Sequence, residues 1–200
     1  MSTDLLTLGE ARSALAIDQT FAGSDDLLRT YISAISKRLD EACGAIVQRT
    51  ITDELYDGGS TIWLKTKPVA SVTTVTEYDG IVPTVLTRQT NTVEPSDGYV
   101  LEPAKGKLIR TSSGTKTIFE PGLQNIKVTY VAGRYTTTAT VDPLFKIAAQ
   151  SFLAHVWKMN QGMGTSTYGD YDGGFAVITY ALPNRVKDLL GSEIQTPSIA

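Results

Sequence analysis

The sequence has very few residues of the kinds that build metal, redox or disulfide chemistry. Its 200 residues include one cysteine, Cys43, and one histidine, His155. A single cysteine excludes an internal disulfide, and these residues cannot assemble a thiolate zinc site or an HExxH helix. We expect Cys43 to be a small buried hydrophobe. Stability should therefore not depend on an oxidising compartment.

A basic segment and a long apolar run are also missing. The net charge is −3, and no part of the chain has the clustered lysine and arginine of proteins that grip DNA phosphates. Tight nucleic-acid binding is therefore disfavoured. No window approaches 18 consecutive apolar residues, and the N-terminus has no basic region followed by an apolar run. We expect neither a membrane span nor a secretion signal.

Recognisable catalytic and cofactor motifs are absent as well. Gly162-Met163-Gly164 follows a predicted helix and lacks the third glycine of a dinucleotide-binding turn. Asp170 and Asp172 lack the distal glutamate of a calcium loop. His155 is interpreted as a structural or interface residue. We expect no enzyme, no cofactor and no metal. A hydrolase or lyase stays open as a remote alternative, which would require a pocket joining His155 to a carboxylate of raised pKa.

Apolar periodicity predicts four helices, near residues 8–16, 25–46, 143–161 and 184–190. Thr7 with Glu10 three residues later predicts a capping box at the first helix. Asp142 followed by Pro143 predicts the start of the third. The helices should form a small bundle.

The middle of the chain reads as β-structure. Of the 27 threonines, 19 lie between residues 50 and 140, together with many Val, Ile and Tyr residues. Turn pairs such as Asp79-Gly80 and Asp97-Gly98 interrupt this stretch. The predicted fold is α+β, with an antiparallel β insertion between helices 2 and 3. Residues 1–47 and 143–161 would form the helical core and 48–142 the insertion, while 162–200 would form a partner-binding loop, a short helix and a tail.

Two features predict contacts with other proteins. Ile147 projects away from the main apolar stripe of the third helix and Trp157 lies at its margin, so we expect a subunit interface there. The glycine-rich loop at 161–174 leads into Phe175 and contains Tyr168 and Tyr171. No arginine or lysine separates these aromatic residues, so a protein partner is favoured over nucleic acid. A loop without any partner remains an alternative.

Several sequence segments resemble those of one protein family. VTYVAGRY, followed within ten residues by DPLFKIAAQSFLAHVW, is similar to the core of head-tail connector (adaptor) proteins of long-tailed double-stranded DNA bacteriophages. Residues 5–47 resemble that family's opening helix pair, and KPVASVTTVTEYDG at 67–80 resembles its next strand and turn. The closing ITYALPNRVKDLLGSE is also similar. These phrases occur in the family's order along most of the chain.

The resemblance implies a virion protein at the head-tail interface, made and assembled in the host cytoplasm. It implies a homo-oligomeric ring, a dodecamer, under the portal protein. The ring would extend the DNA channel, through which DNA passes without tight binding, and would provide a docking platform for the next neck or tail protein. The same resemblance makes Tyr180, Pro183, Arg185 and Leu189 portal contacts. A stopper or tail terminator is the alternative, although such a protein would be mainly β.

Overall fold

The structure is a computed structural model that describes residues 3–18, 23–92, 94, 96–160 and 182–194. Within these ranges the fold is mixed α+β. The chain divides into two compact units. The β unit consists of residues 44–136, and the helical unit consists of the segments before residue 44 and after residue 136.

The helical unit is built from four α-helices among the described residues. They are α1 (Leu8–Ala14), α2 (Asp25–Cys43), α3 (Pro143–Asn160) and α4 (Asn184–Leu190). Helices α1, α2 and α3 contact one another, and α4 packs on α3. Their shared core includes Leu28, Leu39, Phe145, Leu153 and Leu190, all almost completely buried. In the described part of the chain, no helix is both long enough and apolar enough to span a membrane.

The predicted helix starts are confirmed. Thr7 accepts a hydrogen bond from the Glu10 backbone N–H (3.2 Å), and the Glu10 carboxylate accepts one from the Thr7 backbone N–H (2.7 Å). These two bonds form the capping box. Asp142 Oδ1 accepts a hydrogen bond from the Leu144 N–H at 2.8 Å, so it caps α3 as expected.

Ion pairs join α1 to both neighbouring helices. Arg12 bonds Asp25 at the start of α2, and Lys146 of α3 bonds Glu10. Burial raises the pKa of the Glu10 carboxyl, but hydrogen bonds from Lys146 and Thr7 outweigh it, so that pKa lies below its ordinary value. Glu10 therefore stays ionised and paired at neutral pH.

Two predicted helix ends were too late. Helix α1 ends at Ala14 rather than at residue 16. Helix α2 ends at Cys43 because Gly44 has a φ of 81°, a left-handed conformation that stops a helix. Residues 45–47 are apolar and buried, so they continue the apolar pattern from which the end of α2 was predicted. They belong to the β unit.

The β unit contains two sheets among its described residues. Its strands are β1 (Arg49–Tyr56), β2 (Ile62–Trp63), β3 (Val69–Asp79), β4 (Val82–Val85), β5 (Thr87–Gln89), β6 (Gly98–Glu102), β7 (Lys107–Ser112), β8 (Thr115–Lys116) and β9 (Ile126–Ala132). One sheet has the order β1-β9-β3-β4. The other has the order β2-β7-β6-β5, with β8 also paired to β7.

The expectation of antiparallel sheets is correct for every pair except β5 and β6, which are parallel. Residues 90–97 carry the chain back to the end of the sheet where β5 began. Asp97-Gly98 is therefore not a hairpin turn between these strands; Gly98 is the first residue of β6, opposite Thr87.

Strand β9 lies inside the first sheet, between β1 and β3, and its side chains alternate between buried and partly exposed. Ile126, Val128, Tyr130 and Ala132 are completely buried, whereas the residues between them are partly exposed. The core of the β unit also includes Val75 of β3 with Tyr99, Leu101 and Leu108 of the second sheet. Apolar side chains of both sheets thus share one core.

A buried ion pair connects β3 to β7. Arg110 donates from Nε and Nη2 to Glu77 Oε2 at 3.3 and 3.2 Å, and each residue is only 8% exposed. The other carboxylate oxygen of Glu77 accepts a hydrogen bond from the Glu120 backbone N–H at 2.6 Å. Because both oxygens have donors, the charge of Glu77 is compensated in the interior.

Replacing Arg110 by methionine should lower the free energy of unfolding by about 3–5 kcal/mol, because it leaves the Glu77 carboxylate buried without its partner. The double variant Glu77→Gln with Arg110→Met should recover part of this loss. Urea unfolding, monitored by circular dichroism, measures the free energy of unfolding of both variants. Lys105→Met is the matched control, since its pair with Glu102 is exposed and should contribute less than about 1 kcal/mol. Equal losses for Arg110→Met and Lys105→Met would contradict the assignment.

Gly133→Ala should destabilise the protein much more than Gly80→Ala. Both glycines have positive φ, 132° and 59°. A Cβ at Gly133 would lie 2.6 Å from Cα of Gln48, whereas nothing lies within 4 Å of one at Gly80. We expect a loss of about 1 kcal/mol for Gly80→Ala and roughly 3 kcal/mol or more for Gly133→Ala. Thermal unfolding of both variants compares the two losses, and equal values would show that the close contact is unimportant.

Candidate interaction surfaces

The helical unit has an open groove of about 420 Å³. One wall is a face of α3 that carries Ser151, Ala154, His155 and Lys158, residues that recur at helical spacing. The other parts of the lining are the end of α1 at Ala14 and the start of α4 at Pro183, Arg185 and Val186. Val186 is 1% exposed and holds α4 against the core, which leaves the neighbouring Arg185 at the surface.

This groove is positively charged. Lys158 and Arg185 lie on its rim together with the exposed His155, and none of the lining residues in the described ranges is a carboxylate. Neither Lys158 nor Arg185 forms an ion pair with any residue in the described ranges. Ala14, Ala154, Pro183 and Val186 supply apolar lining. The arrangement suits an occupant that combines carboxylates with an apolar side chain.

Three of the seven sequence-predicted partner contacts lie in the described part of the chain. Pro183 and Arg185 line the groove, and Leu189 is half-buried on α4. Tyr168, Tyr171, Phe175 and Tyr180 lie outside the described residues, as does the loop at 161–174. His155 lies in the groove beside Lys158, and no carboxylate of raised pKa accompanies it among the lining residues.

The two predicted subunit-interface residues differ in their surroundings. Ile147 is 50% exposed, which is unusual for an isoleucine on a helix and fits the expected contact with another chain. Trp157 is only half-exposed because its ring packs edge-to-face on Tyr31 of α2, with centroids 6.2 Å apart and an interplanar angle of 84°. Part of its apolar surface is therefore already covered within the helical unit.

A second surface, which sequence reasoning did not identify, lies at one end of the β unit. Three apolar residues there are strongly exposed: Ile81 (95%), Val82 (60%) and Leu123 (82%). Asp57, Asp79 and Glu120 belong to the same end of the unit, each exposed and none in an ion pair with a described residue. We call these six residues the acidic tip.

Asn125 holds the acidic tip together. Its side chain accepts a hydrogen bond from the Gly58 N–H at 3.0 Å and donates to the carbonyls of Glu120 (2.7 Å) and Tyr78 (3.3 Å). It thereby ties the segment before β9 to the ends of β1 and β3. The available sequence signal was the pair of apolar residues directly after the Asp79-Gly80 turn, where polar residues are the norm.

The edge of the second sheet is a third candidate, but its charges are balanced. Trp63 of β2 is 53% exposed, and the Lys107 ammonium lies 5.6 Å from the centre of its ring. Lys105 and Lys107 both pair with Glu102, and these contacts lower the pKa of that carboxyl. The lysines at this edge therefore do not form a free cationic patch. No cluster of three possible metal ligands occurs within the described ranges.

No protein-family model matches this sequence, and no curated protein matches it. Solved structures with a similar fold do exist. A chain in the neck of an empty gene transfer agent (GTA) particle, computed with C6 symmetry, is 17% identical and gives a TM-score of 0.63 over 96% of this chain and 90% of its own length. A chain in the virion of the native GTA particle gives 17% identity, a TM-score of 0.58 and the same coverage.

A chain in the neck of the native GTA particle, computed with C12 symmetry, is 18% identical, with a TM-score of 0.51 over 94% of this chain and 88% of that one. These structural matches establish a shared fold, and at identities this low they establish nothing more. The resemblance to head-tail connector proteins read from the sequence therefore agrees with the fold: nearly the whole chain has the fold of proteins found in the neck of a phage-like particle.

Proposed function

We propose that this chain is a structural protein of the neck of a phage-like particle. The observation that carries the proposal is the fold it shares, over 96% of its length, with a chain of a GTA neck. Necks computed with sixfold and twelvefold symmetry support a ring of identical copies. The proposed role is assembly, and no catalytic step belongs to it.

Within the neck, we assign the chain to the connector (adaptor) position beneath the portal protein. There the ring, with twelve copies, would extend the DNA channel and provide the platform on which the next neck or tail protein docks. Helices α2 and α3, of 19 and 18 residues, favour an adaptor over a mainly β stopper or tail terminator. The net charge of −3 suits a channel through which DNA slides without the counterion release that accompanies tight binding.

Different parts of the chain are proposed to have different roles in the neck. We interpret the helical unit as the frame of the ring and the β unit, which the sequence predicted as residues 48–142, as an insertion into it. Ile147, with its exposed side chain, is a proposed contact between copies, and the uncovered part of Trp157 is another. The closing segment is the proposed portal contact, through Pro183, Arg185 and Leu189 and the aromatic residues Tyr168, Tyr171, Phe175 and Tyr180.

The neck assignment is tested by labelling the chain in its particle. A tagged chain should appear only at the head-tail junction, as a ring with six or twelve copies, when purified particles are imaged by cryo-electron microscopy. Label in the capsid shell or along the tail would contradict the proposal. Particles that lack the chain should have filled or empty heads without attached tails, because the docking platform would be missing.

Leu189→Ser should lower capture of the chain by its portal protein severalfold, because α4 would lose the apolar side chain that it offers to a partner. Leu27→Ser on α2 is the matched control, since Leu27 is also a partly exposed leucine on a helix, 45% exposed. A pull-down with immobilised portal compares the two variants, and thermal unfolding checks that both remain folded. Equal capture of both would remove Leu189 from the portal contact.

A further inference from the structure

Among its described lining residues, the groove of the helical unit has cations and no carboxylate. Lys158 and Arg185 both line it, together with His155. A cation in the last turn of α3, such as Lys158, stabilises the helix. Arg185 lies in the first turn of α4, where a positive charge brings no such gain, and it forms no ion pair with a described residue. It is therefore free to pair with a partner.

The acidic tip of the β unit differs from the groove in shape and in charge. It is convex at the Asp79-to-Val82 turn, whereas the groove is concave. Its exposed apolar residues, Ile81 and Leu123, belong to the end of the β unit that carries three exposed carboxylates, and the Lys127 ammonium there lies 5.7 Å from the centre of the Tyr78 ring. An isolated chain gains nothing from leaving these two side chains 95% and 82% exposed. The groove thus offers cations, and the acidic tip offers carboxylates together with exposed apolar side chains.

We infer that the groove of one copy receives the acidic tip of a second copy. Leu123 and Ile81 would pack on Ala14, Ala154 and Val186, while Asp79 and Glu120 would pair with Lys158 and Arg185 at the rim. An apolar centre with a charged rim is the usual anatomy of a specific protein interface. The inference rests on the ring of the proposed function and names the surfaces that would build it.

In the proposed ring the contact would be heterologous, because the groove of each copy would meet the tip of the next. Each copy at the end of an open chain of such contacts would keep one groove or one tip free, so copies would be added until the ring closes. The inference also refines the portal assignment: Pro183 and Arg185 would face the neighbouring copy, and Leu189 with the aromatic residues before α4 would remain for the portal.

Two charge-reversed full-length chains test the contact. One carries Lys158→Glu and Arg185→Glu, so that its groove and its tip are both acidic. The other carries Asp79→Lys and Glu120→Lys, so that both are basic. The side chains of Asp79 and Glu120 make no hydrogen bond or ion pair with a described residue, so these changes should not disturb the fold. Asp57 is left unchanged because its Oδ1 accepts the Gln124 N–H at 2.7 Å.

Each reversed chain alone should self-associate at least about tenfold more weakly than the natural chain, because like charges then face each other across the contact. A 1:1 mixture should recover assembly, since acidic groove meets basic tip and basic groove meets acidic tip in alternation. Sedimentation velocity at low salt measures all three samples, with circular dichroism as the check on folding. Lys37→Glu with Lys187→Glu is the control for net charge and should leave self-association unchanged.

Assembly of either reversed chain alone at natural strength would overturn the inference, and so would a mixture that fails to assemble while both chains are folded. A natural chain that stays monomeric at low salt up to millimolar concentration would overturn it too. The proposed function fails separately, if the chain is absent from the neck of its particle. Leu123→Ser should weaken assembly of the otherwise natural chain without changing its thermal stability, which distinguishes apolar docking from charge attraction alone.

Discussion

The two ends of the β unit are bonded to each other, and the architecture of the whole chain depends on this closure. Gln48 donates its N–H to the Tyr135 carbonyl at 2.8 Å, and Arg134 and Tyr135 donate theirs to the Ile46 carbonyl at 2.9 Å. The close approach needs Gly133, where a Cβ would collide with Gln48. The chain therefore leaves the β unit beside the point where it entered it.

Buried polar groups make the β unit stiff enough to present a defined surface. Besides the pair of Glu77 and Arg110, Glu54 accepts hydrogen bonds from the hydroxyls of Tyr56 and Tyr130, the latter at 2.8 Å. Burial raises the pKa of the Glu54 carboxyl, but the tyrosine and Lys65 bonds outweigh it and the pKa falls below its ordinary value. Stability from Glu54 is therefore present above its unfolded pKa and is lost as acid protonates the folded carboxylate.

Local signals in the sequence were sufficient for local structure. The capping box at Thr7 and the cap at Asp142 each depend on residues within a few positions, and each was predicted correctly. The end of α2 was not, because residues 45–47 stay apolar for a tertiary reason, their burial in the β unit. The parallel pairing of β5 with β6 likewise depends on the path of a loop rather than on strand composition.

The candidate surfaces were harder to predict, since each joins residues that are distant in sequence. Arg185 was singled out, but its proximity to Lys158 arises only when α4 packs on α3. The acidic tip combines the ends of three strands with the segment before β9, which Asn125 joins through its side chain.

The net charge of the sequence does not reveal that positive and negative side chains are separated in the folded protein. A chain at −3 looks unremarkable, yet folding places cations in one concave site and carboxylates at one convex end. Keeping like charges together costs electrostatic energy in the free chain, and that cost is relieved only when an oppositely charged surface arrives. This separation of the two signs is the reason for proposing that both surfaces are covered by another chain. In the proposed ring, the surface always available at equal concentration is the one on the next copy.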